Sequence, residues 1–70
     1  MNRKYLQSSN VSAVRYQPFT GLLEIAFHDG QVYQYFKVPA KLYSDMMHAS
    51  SHGNFFNYNI RRQFTYRKLG

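Results

Sequence analysis

Asp29-Gly30 lies between two strand-like runs, residues 22–28 and 31–37, and no other feature of this sequence restricts the fold as tightly. Asp-Gly is a favoured pair for a two-residue type I′ hairpin loop, whose two positions both need positive φ. A two-residue loop sets His28 opposite Gln31 and Phe27 opposite Val32, and the period-two alternation of strands then assigns the faces. One face collects Leu23, Ile25, Phe27, Val32 and Phe36, with Gln34 as its polar member. This is the expected core face. The other collects Glu24, Ala26, His28, Gln31, Tyr33, Tyr35 and Lys37, and is amphipathic.

The flanking segments extend this hairpin in both directions. Residues 11–16 suit a strand with Val14 and Tyr16 on one face, and Gln17-Pro18-Phe19-Thr20-Gly21 reads as a turn. Val38-Pro39 ends the third strand, because a residue before proline is held extended and proline has no N–H to donate. Pro39 then suits the first turn of a helix over 40–49, where Leu42/Met46 and Tyr43/Met47 are i,i+4 pairs. Ser50 or Ser51 can cap a second helix, around 53–61, that points Phe56 and Ile60 inward. Residues 64–67 alternate as either an edge strand or an extended tail. The fold class is therefore α+β: a three-stranded antiparallel meander followed by two short helices packed on the sheet, with room for an extra C-terminal strand.

Seventy residues make one domain. A chain this short buries only about 60% of its unfolded surface, so its core must be efficient. Seven Tyr and six Phe meet that demand, since each ring can bury on the order of 150–250 Å². Residues 1–8 are expected to be a flexible segment and 9–70 the domain. With no cysteine, neither a disulfide framework nor a thiolate zinc site is available. No apolar stretch approaches the roughly 18–20 residues of a membrane span, and no apolar run follows Arg3 and Lys4. No membrane partner is expected, and the expected location is the cytoplasm. Nine Lys or Arg against three Asp or Glu give a net charge of +6, which attracts polyanions through counterion release.

The string Ser8-Ser9-Asn10-Val11, then Tyr16, Asp29-Gly30 and Tyr33-x-Tyr35, resembles the KTSC domain. So do Val38-Pro39, Tyr43, Ser51-x-Gly53-x-x-Phe56-Asn57, Ile60-Arg61 and Tyr66-Arg67. The resemblance covers residues 8–67 in order and spacing. The family takes its name from the C-terminus of some lysyl-tRNA synthetases and also occurs as free-standing small proteins. The resemblance implies an RNA-related role through that attachment. Arg15 stands where the family favours a small residue, often glycine, which implies looser strand packing there and an extra positive charge beside Tyr16.

Two clusters carry chemistry. Arg61, Arg62, Phe64, Tyr66, Arg67 and Lys68 interleave guanidinium groups with rings, a pattern suited to nucleic acid because arginine holds phosphate while rings stack on unpaired bases. Tyr33-x-Tyr35 is either a stacking platform beside Lys37 or, covered by the helices, part of the core. Ser50-Ser51-His52-Gly53-Asn54 reads as an N-cap and turn that also suits a phosphate or carboxylate. His48 and His52 are four apart but have no third ligand nearby, so no metal is expected. Glu24, Asp29 and Asp45 are the carboxylates present, and no spacing among them supports a catalytic pair.

The sequence thus predicts a binding module with no catalytic residue and no cofactor. Its expected ligand is RNA or another phosphate-rich nucleotide. Arg61, Arg62, Arg67 and Lys68 would hold phosphate, assisted by Lys37 and Arg15, and Tyr35 and Tyr66 would stack on bases. The competing expectation is a protein-interaction or self-associating module with an aromatic interface, since Tyr, Phe, Met and Arg are enriched at such surfaces.

Overall fold

The computed structural model describes residues 4–5 and 10–70. Its five strands are β1 (Lys4–Tyr5), β2 (Val11–Gln17), β3 (Leu22–Phe27), β4 (Val32–Tyr35) and β5 (Tyr66–Lys68), and its helices are α1 (Ala40–His48) and α2 (His52–Asn59). The strands form one sheet in the order β1-β2-β3-β4-β5, every neighbouring pair antiparallel. The α+β class and the meander followed by two helices are as the sequence predicts. The C-terminal alternative resolves as an edge strand, because Tyr66 and Lys68 pair with Tyr35 and Tyr33 of β4. The expectation of a flexible segment over 1–8 falls, apart from Lys4–Tyr5, outside the described residues. Lys4 and Tyr5 themselves add a strand that a two-residue stretch gives no periodicity to reveal.

The β3–β4 hairpin departs from the two-residue loop. Gly30 N–H donates to the Phe27 carbonyl at 3.0 Å, and Phe27 N–H donates to the Gln31 carbonyl at 2.9 Å, so the loop is His28-Asp29-Gly30. Gly30 has φ +91° while Asp29 is not left-handed. Three-residue hairpins of this kind close with a glycine in the positive-φ position, and Asp29 serves the turn by accepting Gln31 N–H on its carboxylate at 3.0 Å. The extra loop residue slips the register by one, giving Leu23↔Tyr35, Ile25↔Tyr33 and Ala26↔Val32.

A slip of one residue exchanges the faces of β4. Tyr33 and Tyr35 join Leu23, Ile25 and Phe27 on the core side. Val32 and Gln34, placed there by the shorter loop, move to the other. Phe36 is 36% exposed and Tyr35 only 2%, the reverse of what the shorter loop implies. A bulge in β2 makes the complementary adjustment. The register shifts between Val11 and Ala13, so Ser12 is the extra residue, and Val11 and Val14 both enter the core despite their odd spacing.

Both helices cover the face that holds Tyr16, Leu23, Ile25 and Tyr35. Tyr43 of α1 stacks on Tyr16 with ring centroids 4.3 Å apart, and Phe56 of α2 meets Tyr35 edge-on at 5.1 Å. Leu23, Ile25, Met46, Ile60, Val11, Val14 and Val38 are fully buried. Burying each stabilises the fold by about 1.5–3 kcal/mol before conformational entropy is counted. Pro39 occupies the N-cap of α1, one position earlier than expected, in extended conformation. Of the two serines, Ser51 caps α2, its hydroxyl accepting the Asn54 N–H at 3.2 Å. α2 points Phe56 inward as its spacing predicts, with buried Ile60 at its C-cap.

Lys37, a candidate phosphate contact, also carries a backbone constraint. It ends β4 with φ +58°, the left-handed region that disfavours side chains by about 1–2 kcal/mol. Lys37→Gly is therefore expected to raise stability by about 1 kcal/mol, measured as a higher urea midpoint. A lower midpoint would mean that the lysine stem contributes packing larger than the backbone gain.

Candidate functional site

β4 and β5 bring Tyr33, Tyr35 and Tyr66 side by side, and α2 with its following turn closes over them. Tyr66 stacks on Tyr35 at 5.3 Å and lies 5.8 Å from Tyr33, while Phe27 packs edge-on to Tyr33 at 6.0 Å and meets Phe56 at 5.6 Å. Together with Phe64 these rings line a concave site of about 440 Å³, whose remaining wall is Gln31, Asn57, Arg61 and Arg62. The volume falls in the range of small-ligand sites, about 300–1,000 Å³.

Each ring has a distinct position. Tyr35 is buried and forms the floor, so stacking on a ligand passes to Tyr66, which is 54% exposed, and to half-buried Tyr33. Burial pushes the Tyr35 hydroxyl above its ordinary pKa near 10, and the Arg61 charge works in the opposite direction. Tyr33 is oriented by its hydroxyl, which donates to Gln31 Oε1 at 2.9 Å.

Arg61 and Arg62 follow the Ile60 C-cap of α2. The N–H groups of Ile60 and Arg61 both donate to the Phe56 carbonyl at 2.9 Å, and buried Ile60 anchors the turn, so both arginines are presented outward from a fixed backbone. Asn57 precedes Arg61 by four residues and so shares its side of the helical turn.

The eight candidate residues do not form one site. Tyr35, Tyr66, Arg61 and Arg62 meet at the cavity. Lys68 alternates onto the same sheet face as Tyr66, opposite Tyr33. Arg15 and Arg67 lie on the other face, in a row with Glu24 and Gln34 set by the strand register. Arg15 pairs with the Glu24 carboxylate at 3.6 Å, Gln34 donates to Glu24 Oε1 at 3.2 Å, and Arg67 donates to Gln34 Oε1 at 3.4 Å. Glu24 is 8% exposed, and a carboxylate so buried needs such partners. The Arg15 charge is thus held by Glu24 and turned away from the core-side ring of Tyr16.

Gln31, Phe27, Phe56 and Asn57 are the cavity residues that sequence reasoning did not place in a site. For Asn57 the signal was its four-residue spacing from Arg61. For Gln31 it was hidden by the loop length. His48 and His52 do not converge on a ligand set: His48 Nδ1 is 2.8 Å from the Ser44 carbonyl, and among the described residues no group of three or more His, Cys, Asp or Glu side chains is placed to hold a metal ion. No helix among the described residues is long and apolar enough to cross a membrane.

The model of the KTSC domain matches residues 7–64. The chain belongs to the KTSC domain family. A crystal structure of a KTSC domain protein from Yersinia pestis has the same fold, with a TM-score of 0.90 and 37% identity over 99% of this chain and 97% of that one. A protein of Stutzerimonas stutzeri is 35% identical over 90% of this chain and 89% of its own. A lysine–tRNA ligase of a Nostoc species is 38% identical over 63 residues, 90% of this chain. This KTSC chain spans only 11% of that ligase's length, so the relationship concerns one small region of the enzyme.

Proposed function

We propose that this KTSC domain is a non-catalytic, cytoplasmic binding module that takes an unpaired nucleotide of RNA, with the base in the aromatic cavity and phosphate on Arg61 and Arg62. The observation that carries this reading is the junction itself: a concave site walled by Tyr33, Tyr66, Phe64 and Phe56 and bordered by two arginines. Rings of this kind stack on any base, guanidinium groups hold phosphate in paired hydrogen bonds, and Gln31 and Asn57 offer amides to a base edge. The net charge of +6 adds long-range attraction to the same ligand class. The relationship to a segment of a lysine–tRNA ligase is consistent with an RNA-facing role.

An NMR titration of isotope-labelled protein with short single-stranded RNA at two salt concentrations tests the reading. Shifts are expected at Tyr33, Asn57, Arg61, Arg62 and Tyr66, weakening as salt rises. Lys37, Arg15 and Arg67 should stay unmoved. A spectrum unchanged by RNA would refute it. The alternative of a protein-interaction module would then lead, favoured by Phe19, which is 97% exposed at the β2–β3 turn.

A further inference from the structure

A second hollow adjoins the aromatic cavity and shares three of its residues. It has a volume of about 370 Å³ and is lined by Asn54, Asn57, Tyr58, Arg61 and Arg62. Asn57, Arg61 and Arg62 belong to both hollows and form the ridge between them. The two differ in character: the first is walled by rings, whereas the second is open, amide-lined and has one ring, Tyr58, which is 80% exposed. Asn54, Asn57 and Tyr58 are spaced by three and four residues on α2, so the second hollow runs along one side of that helix to the arginines beyond its end.

A ligand that fills one hollow and then crosses the ridge must present aromatic, anionic and aromatic groups in that order. A mononucleotide has a base and a phosphate but nothing for Tyr58. A dinucleotide has both bases with the phosphodiester between them. From this arrangement we infer that the binding unit is two successive nucleotides of a single strand, the first base in the aromatic cavity, the linking phosphate on Arg61 and Arg62, and the second base on Tyr58. The inference rests on the nucleotide reading above and deepens it. Neither hollow needs a 2′-hydroxyl in this arrangement, so the ligand class is single-stranded nucleic acid read through stacking and backbone charge.

The test compares AMP with the dinucleoside monophosphate ApA by calorimetry and NMR, in the native chain and in Tyr58→Ala. Charge alone favours AMP, because its terminal phosphate carries up to two negative charges and the single diester of ApA carries one. ApA is nevertheless expected to bind about tenfold more tightly, the size of one added stacking contact. Tyr58→Ala should abolish that preference and leave AMP affinity unchanged. The side chain is exposed on a helix where alanine is favourable, so the fold is retained. The deoxy pair dAMP and dApdA should show the same preference.

AMP binding as tightly as ApA, with shifts at Tyr33 and Tyr66, would overturn the two-nucleotide unit while leaving the single-nucleotide reading in place. A preference for ApA that survives in Tyr58→Ala would also overturn it. Failure of AMP, ApA and longer RNA alike would remove both readings together.

Discussion

Gly21→Ala is expected to lower the stability of this domain by about 2–4 kcal/mol, a large effect for the addition of a single methyl group. Gly21 closes the β2–β3 turn with its N–H donating to the Gln17 carbonyl at 2.8 Å and has φ +75°. A Cβ there would lie 3.0 Å from Lys37 Cα, 3.0 Å from Val38 N and 3.1 Å from Val38 O. These are backbone atoms and cannot rotate away. They are also tied to Gly21, because Val38 N–H donates to the Gly21 carbonyl at 2.9 Å. Displacing the strand-to-helix junction would disturb Val38, whose side chain is buried and whose carbonyl accepts the Tyr16 hydroxyl at 2.6 Å.

Gly30→Ala supplies the control. Gly30 also has positive φ, but nothing lies within 4 Å of its added Cβ, so only the backbone penalty of about 1–2 kcal/mol applies. Urea denaturation should separate the two variants clearly, since a domain of this size has only about 4–10 kcal/mol in total. Equal losses would show that the close approach to Lys37 and Val38 costs nothing beyond left-handed strain.

The double replacement Arg61→Ala with Arg62→Ala is expected to weaken RNA binding about 100-fold or more at low salt. In the proposed binding mode each arginine would contribute a charge-assisted contact worth about 1.5–3 kcal/mol. Loss of two phosphate contacts should also reduce the slope of log affinity against log salt by about 1.4, because single strands contribute about 0.7 per neutralised phosphate. Both residues are exposed and follow the helix, so unfolding does not confound the measurement. Arg67→Gln lies on the opposite sheet face and should leave affinity nearly unchanged. If Arg67→Gln weakened binding as much as the double replacement, the effect would come from net charge and not from the cavity.

The helices, the turn at Gly21 and the order of the strands were legible in the residues. Proline and glycine punctuate the chain at 18, 21, 30 and 39, and i,i+4 apolar pairs mark α1. The family resemblance was legible too, because it rests on the order of many small features. Part of the candidate site was legible in the same way: Arg61, Arg62, Tyr35 and Tyr66 stood out by composition and meet at one cavity. Arg15 and Arg67, grouped with those residues by the sequence, lie on the sheet face opposite the cavity. Sequence proximity placed Arg67 beside Tyr66, but neighbouring residues in a strand point to opposite faces.

Element types, their sequence, the hairpin at Asp29-Gly30 and the positive charge were determined by the sequence alone, because propensity, turn chemistry and net charge are local or additive properties. Tertiary structure decided the register of β4, and with it which aromatic residues form the cavity. An Asp-Gly pair can close a loop of two or three residues at similar local energy, so the choice falls to what each register buries. The longer loop encloses Tyr35 among Leu23, Phe56 and Ile60 and leaves Phe36 at the surface. It also aligns Arg15, Glu24, Gln34 and Arg67 in one row, giving the buried carboxylate its partners. Those gains depend on residues far apart in the chain, and only the packed sheet and helices bring them together.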